Sequence, residues 1–154
     1  MRILVFGYGL HGGGFDCAMH FLSKGDEVTI TDIRSRETLG ASIDYLETKG
    51  AVIHCGGYQT SDFQWADIVL KSPTIKLDNE FLAYAKRVEN DLTILNAVPE
   101  SQLVKVICVT GARDKTTSAS AICHVLNSLG AKARTLGPSS FTEIHRWENG
   151  DIPE

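Results

Sequence analysis

The feature that most restricts this chain's fold is a glycine-rich turn, Val5–Gly14 or VFGYGLHGGG, set between an apolar run and a helical pattern. The run before it, RILVF (Arg2–Phe6), is short and almost continuously apolar, as expected of a strand covered on both faces. Phe15, Ala18, Met19 and Leu22 follow at helical spacing, and Gly25 is placed to stop that helix. Gly7-Tyr8-Gly9-Leu10-His11-Gly12 therefore matches G-x-G-x-x-G in the strand–turn–helix context that gives the motif meaning. Gly7 permits the tight turn, Gly9 lets the backbone approach a diphosphate, and Gly12 lets helix and strand pack closely. The helix N-terminus offers unpaired N–H groups to phosphate. Asp32 ends the second expected strand, EVTITD, about 20 residues after Gly12, where an acidic side chain reaches a ribose hydroxyl in such units. Arg34 complicates that reading, since a guanidinium there suits a phosphate or a base.

Alternation continues along the chain. ETLGASIDYLETKG reads as a helix despite Gly40, AVIHC as a third strand and ADIVLKSP as a fourth, closed by Pro73. DNEFLAYAKRVEN reads as a helix with Asp78 as N-cap, and LTIL as a fifth strand. The expected class is α/β: a Rossmann-like, mostly parallel sheet with helices on both faces, followed by a partial P-loop β-α unit. The rhythm breaks at NAVPESQLV (Asn96–Val104), which divides the chain into residues 1–97, a complete sheet domain, and 98–154, the opening of another. AKARTLG is a candidate further strand, and the tail PSSFTEIHRWENGDIPE shows no clear period.

The net charge of −4 argues against a broad nucleic-acid surface, which needs a basic excess. No apolar run approaches the roughly 20 residues that span a bilayer, and no signal-peptide pattern opens the chain. The four cysteines form no C-x-x-C pair and read as reduced thiols of a cytoplasmic protein.

A second loop, VTGARDKTTS (Val109–Ser118), follows the apolar run KVICVTG and opens the helical pattern KTTSASAICHVLNSLG. Lys and Thr at a helix start after a glycine loop have a specific chemistry. The ammonium of Lys115 reaches phosphates, the Thr116 hydroxyl ligates Mg²⁺, and backbone amides from Gly111 to Thr117 hold phosphate oxygens. The spacing is shorter than the common G-x-x-x-x-G-K-[ST].

The ordered set of glycine loop, TDIR, SPTI and VTGARDKTTS resembles the Mur ligases over residues 2 to about 136. Within them it is most similar to the branch that joins D-glutamate to UDP-N-acetylmuramoyl-L-alanine in peptidoglycan synthesis. The resemblance covers that branch's N-terminal domain and the start of its central ATPase domain. It implies that the first domain grips the uridine diphosphate of a UDP-linked sugar-peptide. The backbones of Gly7, Gly9, Leu10, His11 and Gly12 would face the diphosphate, Asp32 and Arg34 the uracil, and Ser72, Pro73 and Thr74 the diphosphate again. It also implies ATP and Mg²⁺ as cofactors, with Gly111, Lys115, Thr116 and Thr117 at the ATP phosphates, Lys115 and Thr116 serving catalysis, and Thr116 on the metal. The implied reaction phosphorylates a carboxylate, and an amine then attacks to form an amide.

The family's loops run roughly G-x-G-x-[ST]-G, D-x-R, S-P-G-[IV] and T-G-[TS]-N-G-K-[TS]-T. This chain has His11 for the hydroxyl residue, Thr74 for the glycine of S-P-G, and Arg113-Asp114 for Asn-Gly. Asp114 sets a negative charge beside the phosphates, so the resemblance implies a weakened ATP site. The rest of the central domain and the amino-acid-binding domain have no counterpart here. The expectation is a fragment or degenerate relative that does not complete ligation alone. Two other readings fit the first loop: an NAD(P)-binding Rossmann module or oxidoreductase domain, and a silent module that once bound nucleotide.

Overall fold

The computed structural model describes residues 1–10, 13–97, 104–136, 141–149, 151 and 153. His11 and Gly12, both expected at the diphosphate, lie outside the described residues, as do most of the expected linker and residues 137–140. Five strands form one sheet: β1 (Arg2–Phe6), β2 (Glu27–Asp32), β3 (Val52–Cys55), β4 (Ile68–Lys71) and β5 (Val88–Glu89). Their order is β3-β2-β1-β4-β5 and all pairs are parallel. The helices are α1 (Gly13–Ser23), α2 (Arg36–Leu39), α3 (Ala41–Thr48), α4 (Thr60–Trp65), α5 (Asp91–Ala97), α6 (Lys115–Ser128) and α7 (Phe141–Glu148).

Alternate residues of a strand face opposite sides, and β1 uses both for burial. Ile3 and Val5 join Val28, Ile30, Ala18, Phe21, Ile43 and Leu46 on one face. Leu4 and Phe6 join Phe63 and Val69 on the other. The Phe6 ring meets Phe63 and Tyr58 edge-on, both at 4.8 Å between centroids. A strand buried on two sides reads as an unbroken apolar run, which is why β1 was legible in the sequence.

The register brings Phe6 opposite both Thr31 and Lys71. The carboxyl ends of β1, β2 and β4 therefore finish together, where ligands bind in open parallel sheets. Gly40, at φ +74°, splits the single helix expected over ETLGASIDYLETKG into α2 and α3. Arg36 bridges the two by pairing with Asp44 at 2.7 Å and with Glu47.

Three other expectations are corrected. The helix expected over DNEFLAYAKRVEN is a 3₁₀ turn, Glu80–Tyr84, whose cap is Asn79 rather than Asp78; its Oδ1 accepts from the Phe81 N–H at 3.1 Å. Beyond it the sheet captures the chain, with the Val69 N–H donating to the Arg87 carbonyl at 2.8 Å, so Val88–Glu89 is the fifth strand. LTIL is helix, not strand. Asn90 and Thr93 cap each other reciprocally at 2.9 Å in both directions, and this box starts α5.

Beyond residue 104 the second β-α unit is only half formed. Helix α6 is present, but residues 105–111 and 131–136 join no ladder among the described residues. Val106, Ile107, Val125 and Leu129 stay exposed, and no strand among the described residues covers them. The tail holds a period after all. Phe141, Ile144 and Trp147 recur every three residues, line one face of α7, and are buried with Ala18, Phe21 and Leu95. Lys24 and Glu148 close the contact at 2.7 Å.

Candidate functional site

The site is assembled from the turns that leave β1, β2 and β4. Gly7 and Gly9 sit at φ +81° and +76°, left-handed values that cost a side-chain-bearing residue about 1 kcal/mol or more. The Gly7 N–H donates to the Thr31 carbonyl at 2.9 Å, which ties the turn to β2. A methyl on Gly7 would sit 3.1 Å from Ser72 Cβ and Ile75 Cγ1, so the loop after β4 packs directly on this glycine. Gly9 has open space around its Cα. Gly14 also requires glycine, which the sequence reading missed: a Cβ there would lie 2.2 Å from the Tyr8 carbonyl oxygen. The third glycine of G-x-G-x-x-G had been given that close-packing task, and Gly14 carries it among the described residues.

Asp32 is 1% exposed and fully engaged. It accepts two bonds from the Arg34 guanidinium, at 2.8 and 2.7 Å, one from the Arg34 N–H at 3.0 Å and one from the Gly9 N–H at 3.4 Å. Burial works against its charge, but the Arg34 and Gly9 hydrogen bonds outweigh burial and hold the carboxyl below its ordinary value. The same pairing raises Arg34. Asp32 thus braces the glycine loop and fixes Arg34, whose side chain is 32% exposed, at the rim.

A cleft of about 330 Å³ opens beside the loop, lined by Tyr8, Gly9, Leu10, Phe15, Leu39 and Ser42. The Tyr8 hydroxyl and Ser42 Oγ meet at 2.8 Å across it, and burial raises the Tyr8 phenol. Leu10 projects into solvent at the cleft edge. On the other side of the loop, Ser72, Pro73 and Thr74 follow β4. The Ser72 N–H donates to the Phe6 carbonyl at 2.9 Å, and the Ser72 and Thr74 hydroxyls lie 3.0 Å apart. The structure therefore gathers Gly7, Gly9, Leu10, Asp32, Arg34, Ser72, Pro73 and Thr74 at one edge of the sheet. Ser42, Phe15 and Leu39 were not foreseen, because nothing in the sequence shows that α3 folds back over Tyr8.

Gly111, Lys115, Thr116 and Thr117 form a separate group, and no hydrogen bond joins them to the first among the described residues. Asp114 has φ +59°, the left-handed conformation that glycine supplies in the resembled loop. Its carbonyl accepts from Ser118 N–H at 2.9 Å, while its side chain caps nothing. Lys115 Nζ donates to the Gly111 carbonyl at 2.9 Å. Among the described residues no cluster of three or more His, Cys, Asp or Glu is arranged for a metal, and no helix is long and apolar enough to cross a membrane.

A five-stranded parallel sheet with a glycine turn after its first strand is a Rossmann-like α/β unit. Residues 1–94 match the family described as Mur ligase MurD-like, N-terminal domain, and the chain belongs to that family. The UDP-N-acetylmuramoylalanine–D-glutamate ligase of Borreliella burgdorferi (strain ZS7) is 34% identical over 128 residues, covering 82% of this chain and 28% of the relative. That of Treponema pallidum (strain Nichols) is 29% identical over 148 residues, covering 92% and 27%. Among solved structures, the UDP-N-acetylmuramate-alanine ligase MurC of Thermotoga maritima aligns with a TM-score of 0.52 at 27% identity, over 84% of this chain and 30% of that one. The chain thus spans under a third of the length of these relatives.

Proposed function

We propose that the chain binds the uridine diphosphate of a UDP-linked muramoyl-peptide precursor at the carboxyl edge of its sheet, as the substrate-recognising part of an ATP-dependent, D-glutamate-adding ligase. The observation that carries this reading is the joint placement of the Gly7–Gly9 turn, the Arg34 guanidinium and the Ser72–Thr74 loop around one opening. Gly9 and Leu10 present backbone to the diphosphate, Ser72 and Thr74 add hydroxyls, and Arg34 with the Tyr8 cleft receives the uridine. The same geometry weighs against an NAD(P)-binding module. The Asp32 carboxylate that such modules turn toward a ribose is here committed to Arg34 and Gly9.

Residues 98–154 then begin the central, ATP-handling part. The backbone fits a phosphate group, since Asp114 keeps the left-handed turn and the α6 amides carry no side-chain cap. Lys115 and Thr117 with Gly111 would hold ATP phosphates and Thr116 the Mg²⁺. The chemistry this group supplies is transfer of a phosphoryl group to the precursor's carboxylate before amide formation. The Asp114 carboxylate opposes that binding, so ATP is held weakly and ligation is not completed by these residues alone. The site belongs to a cytoplasmic protein, where UDP-linked precursors and ATP are both supplied.

Thermal melting with UDP, NAD and Mg-ATP tests the reading. UDP stabilises the chain, NAD has little effect, and Mg-ATP has the least. Stabilisation by NAD without stabilisation by UDP contradicts it.

A further inference from the structure

Lys71 ends β4, immediately before the Ser72–Thr74 loop, and the reading above gives it no task. Its ammonium donates to the Ser72 carbonyl at 2.9 Å and to the Ile75 carbonyl at 2.6 Å. Both acceptors belong to one tight turn, which the Ile75 N–H closes on the Ser72 carbonyl at 3.1 Å. That turn is the one packed against Gly7. Lys71 therefore clamps the loop whose hydroxyls flank the glycine turn. Among the described residues, two carbonyls accept from its three N–H donors. Lys71 is half-buried, and among the described residues no carboxylate lies within ion-pair distance of it. Arg34, at the same edge, is already neutralised by Asp32.

A half-buried ammonium with only neutral acceptors is under-compensated, and an anion brought beside it gains more than it would in water. We propose that Lys71 is a positioning and specificity residue of the nucleotide site: it shapes the Ser72–Ile75 turn and supplies the counter-charge that selects a nucleoside diphosphate over an uncharged nucleoside. This rests on the nucleotide reading above. It adds that discrimination between UDP and uridine comes from a lysine outside the glycine loop, while the loop amides receive both the turn and its ligand without carrying net charge.

The test is calorimetric titration of the full chain, unmodified and as Lys71→Gln and Lys71→Arg, with UDP and separately with uridine. Glutamine keeps a donor for the carbonyls and removes the charge; arginine keeps both. Lys71→Gln should weaken UDP by about tenfold or more and leave uridine unchanged, with Lys71→Arg recovering most of the loss. The inference is overturned if Lys71→Gln binds UDP within about twofold of the unmodified chain, or if UDP and uridine weaken alike. Should the glutamine variant not fold, the Lys71 ¹H–¹³Cε resonance of the unmodified chain decides: it shifts with UDP and not with uridine, and a resonance unmoved at UDP saturation overturns the inference. Failure of the unmodified chain to bind UDP is a different result, which removes the nucleotide reading itself and this inference with it.

Discussion

Replacing Arg34 with alanine isolates the bond set that builds the site's floor. The change deletes two charge-assisted hydrogen bonds, at 2.7 and 2.8 Å, from a carboxylate that is 1% exposed. The Arg34 and Gly9 N–H groups remain at 3.0 and 3.4 Å, so Asp32 is stripped of charge compensation but not of every partner. Hydrogen bonds to a charged group contribute about 1.5–3 kcal/mol each, and a buried carboxylate left short of donors costs more. The Arg34 side chain is 32% exposed, so water replaces part of what is lost, and we expect a net loss of about 2 kcal/mol. For a chain of this size that is a fall of about 4–8 °C in melting temperature. The pH dependence separates this cause from simple loss of packing. Asp32 has a folded pKa below its unfolded value of 3.8, so its contribution is present above 3.8 and is lost as pH falls through the folded value. In Arg34→Ala the burial that raises Asp32 remains while its main opponent is gone. The gap between the two melting curves should therefore be full at pH 7 and narrow below pH 3.8. Equal melting temperatures at pH 7, or a gap independent of pH, would refute the reasoning.

Further predictions concern the second loop, α1 and α7. Asp114→Gly removes a carboxylate and keeps the left-handed turn; because Asp114 is exposed, a water-like dielectric applies, and about 1 kcal/mol from charge strengthens Mg-ATP binding roughly fivefold by calorimetry. His20 is buried against Phe21 and Phe141, and burial, aided by Lys24 and His145, lowers its pKa against the pull of Glu148 and Asp26. Its folded value lies below the unfolded 6.5, so stability is full above pH 6.5 and falls as pH drops below it, and His20→Leu should flatten that limb of the melting profile. Ile144→Ala deletes a side chain that is 0% exposed and should cost about 2–4 kcal/mol in denaturant unfolding; no loss would mean that α7 does not dock on α1.

The sheet was legible where burial is two-sided. Ile3–Phe6 is apolar without a break because both faces are covered, and β2 alternates Val28 and Ile30 with the buried Thr29 and Thr31. The glycine turn was legible because Gly7 and Gly9 answer a backbone need that no other residue meets as cheaply. Local chemistry was harder to weigh. Asn90 and Thr93 form a capping box that starts α5, but LTIL taken alone has the composition of a strand. The two-residue β5 is made by β4 reaching for Arg87 and Val88, a tertiary choice without a local signal. Helix α7 shows only three apolar residues, and their spacing gains meaning once Phe21 and Ala18 are seen to need a cover. In the candidate site, TDIR and KSPTI mark turns that the structure brings to one edge of the sheet. That Asp32 would spend its carboxylate on Arg34, that Ser42 would meet Tyr8, and that Lys71 would clamp its neighbours depends on contacts between segments and was not readable from spacing.

The most direct test of the nucleotide site is a ¹H–¹⁵N correlation spectrum of the chain recorded as UDP is added. The account predicts that the amides of Gly7, Gly9 and Leu10, those of Ser72 and Thr74, and the Arg34 Nε–H shift together and saturate at one dissociation constant, while those of α7 stay still. Saturating UDP that leaves the Gly9 and Leu10 amides unmoved contradicts it.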